Sequence, residues 1–120
     1  MARLQIKRVY EQRSPGDGQC ILVDRVWPRG VSKKKLGDVV WLRDVAPSTE
    51  LRKWFNHRPE RWKQFLTRYS AELDCNTDNV ENLRSMCERG RVTLLYSARD
   101  VEHNQARALV EYLSVLKGRP

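Results

Sequence analysis

Two groups of polar side chains in this 120-residue chain have the types and spacing to hold an anion. The first is Asp24, Arg25 and Arg29, which follows the apolar run Ile21-Leu22-Val23. The second is Ser97, Arg99, Asp100, His103 and Asn104, which follows Val92-Thr93-Leu94-Leu95-Tyr96. A planar guanidinium grips a phosphate or carboxylate through two parallel hydrogen bonds, so Arg25, Arg29 and Arg99 form the expected clamp. Asp24 or Asp100 would hold those arginines in place. His103, whose imidazole ordinarily titrates near neutrality, is the expected proton carrier, with Asp24 as the second candidate for acid–base work. Ser97, Asp100 and Asn104 complete the expected ligand shell. The same residues also have structural roles open to them. Asp100 and Asn104 suit helix caps, Trp27 and Pro28 suit a packing plug, and either Asp24 or Arg25 can pair with a helix.

Other chemistries lack their parts. Ser97 and Tyr96 have no evident activating partner, and no nucleophile elbow, phosphate-cradling P-loop or dinucleotide fingerprint is present. His57 and His103 are far apart with no Cys or Glu at ligand spacing, so neither a metal nor a cofactor is expected. His57, in Asn56-His57-Arg58-Pro59, reads as a turn residue. Cys20, Cys75 and Cys87 are odd in number and lack paired spacing, as expected of idle thiols in a reducing compartment.

The elements that must position these groups can be read from periodicity and punctuation. Residues 3–10 read as a strand with Leu4, Ile6 and Val9 inward, ended by the turn Ser14-Pro15-Gly16-Asp17-Gly18. A second strand at 20–26 is continuously apolar in its first half, as in a strand covered on both faces. Lys33-Lys34-Lys35-Leu36, with Ser32 as a cap, is a short helix or turn. Val39-Val40-Trp41-Leu42 is a short strand or an irregular packed segment. Pro47 with Ser48 or Thr49 starts a helix running to about Asn56. Pro59 opens a longer one, with Trp62, Phe65, Leu66, Tyr69 and Leu73 as its core stripe. A third helix, capped by Asn76 or Thr77, stops at Gly90. The strand Val92–Tyr96 and a helix at 104–116 ending at Gly118 complete the chain. Helices between successive strands imply crossover connections. The expected fold is a single α/β domain over residues 1–120, three-layered, with a small, mainly parallel sheet and helices packed on it. In such sheets ligands bind outside the carboxyl ends of the strands, where both polar clusters lie.

Net charge is +8, from 23 Lys and Arg against 15 Asp and Glu, which attracts phosphates, nucleic acid or acidic partners. A small anionic ligand is the leading expectation, whether or not a reaction follows. The alternative is a non-catalytic basic module that binds nucleic acid or an acidic protein along a face from Arg29 through Lys33-Lys34-Lys35. A solvated charged turn is the favoured account of those lysines. The chain has no apolar run of membrane-spanning length and no signal-peptide core at its start, so a cytoplasmic location is expected.

Beyond these readings, the chain resembles a known family. Leu22-Val23-Asp24-Arg25-Val26-Trp27-Pro28-Arg29-Gly30 is one motif. Others are Ala46-Pro47-Ser48 with Leu51-Arg52-Lys53-Trp54-Phe55, then Pro59-Glu60-Arg61-Trp62, and Thr93-Leu94-Leu95-Tyr96-Ser97-Ala98-Arg99-Asp100 with His103-Asn104. In order and nearly end to end, they are similar to the YeaO-like branch of a bacterial domain family of unknown function, number 488. The resemblance implies a small cytoplasmic α/β protein and no established activity. Larger members of the wider family carry a Cys-His-Arg turn where this chain has Glu102-His103-Asn104, so thiol chemistry does not transfer. Cys20 stands where relatives carry a basic residue, and Arg58 where they carry an acidic helix cap.

Overall fold

The protein is represented by a computed structural model, of which residues 4–117 are described. Residue 3 of the expected first strand and the helix stop at Gly118 lie outside the described residues. Four strands, β1 (Leu4–Arg8), β2 (Gln19–Leu22), β3 (Val40–Trp41) and β4 (Val92–Tyr96), form one sheet in the order β1-β4-β2-β3. Every pairing is parallel, with Ile6 opposite Leu94, Ile21 opposite Leu94 and Leu22 opposite Trp41. The buried run Val92-Thr93-Leu94-Leu95-Tyr96 is central because it carries few groups that need water on either face. β2 is shorter than expected. One ladder bond continues past its end, from the Val23 N–H to the Leu95 carbonyl, before the chain leaves the sheet at Asp24.

Among the described residues five α-helices accompany the sheet: α1 (Lys33–Leu36), α2 (Thr49–Phe55), α3 (Trp62–Asp74), α4 (Thr77–Arg89) and α5 (Gln105–Lys117). Their starts follow local chemistry. Ser32 and Ser48 accept the backbone N–H groups of Lys35 and Leu51, and Pro59 opens a single 3-10 turn that leads into α3. At Asn76 the backbone occupies the cap position, but the side-chain amide instead donates to the Asp44 carbonyl, at 2.6 Å.

The two faces of the sheet are covered unequally. Ile21, Val23, Val92, Leu94 and Tyr96 point to the side where α2, α3, α4 and α5 contribute Phe55, Phe65, Tyr69, Leu83 and Leu109. Cys20, Leu22 and Leu95 point the other way, where α1 and the loop around it supply Leu36, Trp27, Val31 and Val39. Alternation along each strand forces this division, since neighbouring side chains leave on opposite faces. The second layer is thus a loop anchored by aromatic packing. Trp27 and Trp41 meet edge to face at 5.1 Å, and the Trp41 indole N–H donates to the Asp24 carbonyl at 2.6 Å.

Candidate functional site

An open cleft of about 620 Å³ lies at the carboxyl edge of the sheet. It sits where adjacent parallel strands β2 and β4 release their chains, with Asp24 and Arg25 on one side and Ser97, Arg99 and Asp100 on the other. Arg52 and His57, from the last turn of α2 and the bend after it, close a third side. That bend holds two successive non-glycine residues in the left-handed region, Asn56 at φ 47° and His57 at φ 55°. Such backbone is uncommon outside glycine and persists only where surrounding contacts require it.

Asp24 forms the buried floor, 6% exposed. Its carboxylate accepts from the Gln105 side-chain amide at the start of α5 and from the Ser97 hydroxyl and backbone N–H. Burial pushes its pKa above the usual carboxylate value, and these hydrogen bonds with the charge of Arg52 offset that only in part. Linkage fixes the consequence. A carboxyl whose folded pKa is raised contributes stability below its unfolded value near 3.8 and loses it as pH rises through the folded value. Relative to Asp24→Asn, the wild type should therefore gain stability as pH is lowered from 7 to 4. Urea unfolding across that range checks this, and a difference that stays flat or moves the other way rejects it.

The expected clamp is rearranged. Arg25 does line the cleft, but its guanidinium is held by the backbone. Nε donates to the Pro47 carbonyl at 2.8 Å and a terminal nitrogen donates to that of Ala46 at 3.1 Å. Arg29 is exposed and does not line the cleft. Its loop is held by the packing of Trp27 on Trp41, and the Arg29 carbonyl accepts from the Tyr10 hydroxyl at 3.2 Å. Arg99 lines the cleft as expected, and so does Arg52.

The expected proton carrier is also displaced. His103 does not line the cleft. Its Nδ1 donates to the Asp100 carboxylate at 2.9 Å, and its ring stands edge-on to Trp62 at 5.2 Å. Asp100 also accepts the backbone N–H groups of Glu102 and His103, and the first of these does most to hold its pKa below the ordinary range. Asn104, 2% exposed, is a helix cap rather than a ligand group. It accepts the Arg107 N–H and donates to the Asp100 carbonyl, both at 2.9 Å. Its amide is spent on the entry to α5.

Arg52, His57 and Gln105 are lining residues that the sequence reading missed. The bend Asn56-His57-Arg58-Pro59 was a visible signal of a tight turn, but nothing local shows which strand end a turn faces. The three lysines Lys33, Lys34 and Lys35 are exposed on α1, which packs on the opposite face of the sheet from α2–α5. Among the described residues no group of three or more His, Cys, Asp or Glu could hold a metal ion. No helix there is long and apolar enough to cross a membrane.

Residues 3–117 match a family model described as "Inactive DUF488-N3 subclade". The chain belongs to this DUF488-N3i family. Its YeaO-like character is explicit in a relative from Escherichia coli (strain K12), the uncharacterized protein YeaO. The two are 39% identical over 113 residues, covering 94% of this chain and 98% of the relative. The uncharacterized protein Rv3073c of Mycobacterium tuberculosis is 42% identical over 112 residues, 93% of this chain and 94% of its own. No solved structure matches this DUF488-N3i chain at a significant level.

Proposed function

We propose that this domain binds a small anionic ligand, carrying a phosphate or carboxylate, in the cleft at the carboxyl ends of β2 and β4. One observation carries the reading: Arg52 and Arg99 both line the cleft, and neither makes an ion pair or side-chain hydrogen bond among the described residues. Arg25, pinned by two carbonyls, adds a third guanidinium whose position is set before any ligand arrives, which lowers the entropy lost on binding. The neighbouring carboxylates are held by other partners, Asp100 by His103 and Asp24 by Gln105 and Ser97, and among the described residues neither lies within ion-pair distance of Arg52 or Arg99. Binding without turnover is the form proposed. The engagement of His103 away from the cleft supports it, as does the description of the family as inactive.

Thermal unfolding against inorganic phosphate, nucleoside monophosphates, sugar phosphates and dicarboxylates tests the proposal. A ligand at one hundred times its dissociation constant adds about 2.7 kcal/mol, a rise in Tm on the order of 10 °C for a domain of this size. Arg52→Ala combined with Arg99→Ala should abolish that rise while leaving the unliganded Tm within a few degrees, because both side chains are exposed. If none of these ligands stabilises the wild type, or if the double variant responds equally, the cleft is not an anion site.

A further inference from the structure

One stretch outside the cleft loops and the lysine run carries a marked surplus of positive charge. Residues 50–68 carry Arg52, Lys53, Arg58, Arg61, Lys63 and Arg68 against Glu50 and Glu60, a surplus of four that is half of the net +8. Residues 72–89 reverse the balance, with five carboxylates against Arg84 and Arg89. The α2–α3 hairpin is therefore a positive pole, and the stretch from the end of α3 through α4 a negative one. Five of the six cations are exposed and Arg61 is half-buried.

Trp54 gathers two of these cations. The Arg68 guanidinium lies over its ring at 4.2 Å from the centroid and that of Arg61 at 5.2 Å, while Arg61 also donates to the Trp54 carbonyl. A guanidinium stacked on an aromatic ring keeps N–H edges for another acceptor and has less freedom to lose when it takes one. Arg58 meets Glu60 only at 3.7 Å, with both side chains more than half exposed, a pairing too weak to withhold it.

The kind of partner follows from what this face lacks. The large hydrophobic side chains exposed among the described residues are Tyr10, Val26, Val101 and Val115, and none belongs to α2, α3 or the bend between them. A protein interface needs a desolvated apolar or aromatic centre, and stable seating on a membrane needs apolar side chains or a lipid chain beside the charge. A nucleic-acid backbone needs only cations placed to replace its counterions. We propose that the α2–α3 face binds nucleic acid through its sugar–phosphate backbone, without regard to base sequence. Arg61 and Arg68 are its fixed phosphate donors, and Lys53 and Arg58 its mobile ones. The proposal stands apart from the cleft, whose lining does not include these four residues.

Fluorescence anisotropy with a labelled twenty-nucleotide single strand tests it on the intact chain. Four phosphate contacts give a slope of log affinity against log salt of about −2.8, so affinity should fall roughly 50-fold between 50 and 200 mM salt. Arg61→Gln with Arg68→Gln should lower affinity and flatten the slope by about 1.4. Lys53→Gln with Arg58→Gln should flatten it by a similar amount without touching the Trp54 stack, which keeps the test valid if the first pair disturbs folding. Lys33→Gln, Lys34→Gln and Lys35→Gln together should leave binding unchanged. The proposal fails if the wild type does not bind at 50 mM salt, if both pairs retain the wild-type slope, or if the α1 triple variant loses binding. It also fails if polyglutamate of equal charge displaces the strand as well as unlabelled nucleic acid does, since the surface would then fit an acidic protein.

Discussion

Gly18→Ala is expected to destabilise the protein by about 3 kcal/mol or more, the largest effect of any small substitution proposed for this chain. Gly18 has φ 68° and ψ −143°, a region open to glycine and closed to side chains that carry a Cβ. A Cβ there would stand 2.2 Å from the Arg91 carbonyl oxygen and 2.8 Å from its carbon. That carbonyl cannot retreat without loss, because it accepts the Gln19 N–H at 3.0 Å and so begins the pairing of β2 with β4. Gly30 supplies the comparison. It has a similar φ of 74° but nothing within 4 Å of its added Cβ, so Gly30→Ala should cost about 1 kcal/mol, for backbone strain alone. Urea unfolding of both variants decides the matter. Equal losses would mean that close approach to Arg91 plays no part.

Asp17→Ala should cost about 3 kcal/mol, because it removes the centre of a polar network beneath the sheet. The Asp17 carboxylate, in a residue only 3% exposed, accepts from Lys7 Nζ and Gln5 Nε2, both at 3.0 Å, and from the Ser14 N–H at 2.8 Å. Thr93, on central strand β4, donates to the Asp17 carbonyl at 2.7 Å and accepts from Gln5 at 2.8 Å, so the network ties the first turn to the middle of the sheet. Truncation leaves the half-buried Lys7 ammonium without its counter-charge, and an unpaired charge costs more than the pair was worth. The pH dependence runs opposite to that of Asp24. The Ser14 N–H first, then Lys7, hold the Asp17 pKa below its ordinary 3.8. Its contribution is present above that unfolded value and is lost as pH falls through the folded one. The stability gap between wild type and Asp17→Asn should accordingly be wide at pH 7 and close below about pH 4, whereas against Asp24→Asn the wild type gains over the same descent. A gap for Asp17→Asn that persists undiminished at pH 2 would show that the carboxylate's charge is not what stabilises the turn.

Much of this molecule follows from local rules that act within a few residues. Ser48 before a helical stripe starts α2, Gly90 follows the end of α4, and the continuous apolar run Ile21-Leu22-Val23 marks a strand buried on both sides. The crossover pattern makes the sheet parallel, and parallel strands put the Asp24 and Ser97 clusters on one edge. That edge was therefore visible in the sequence. What covers each face was not, because a strand's alternation says that a face is buried without saying whether a helix or a loop buries it. The membership of the cleft was hidden for a related reason. Arg25 is turned by carbonyls at residues 46 and 47, Asp24 is held by an amide at residue 105, and Arg29 is carried off by the packing of Trp27 on Trp41. Each of these partners lies well beyond the reach of periodicity. The composition and punctuation of the chain settled its charge and most of its elements. Only the packing of distant segments decided which guanidiniums share a cleft, since the direction of a loop side chain is set by whatever folds against it.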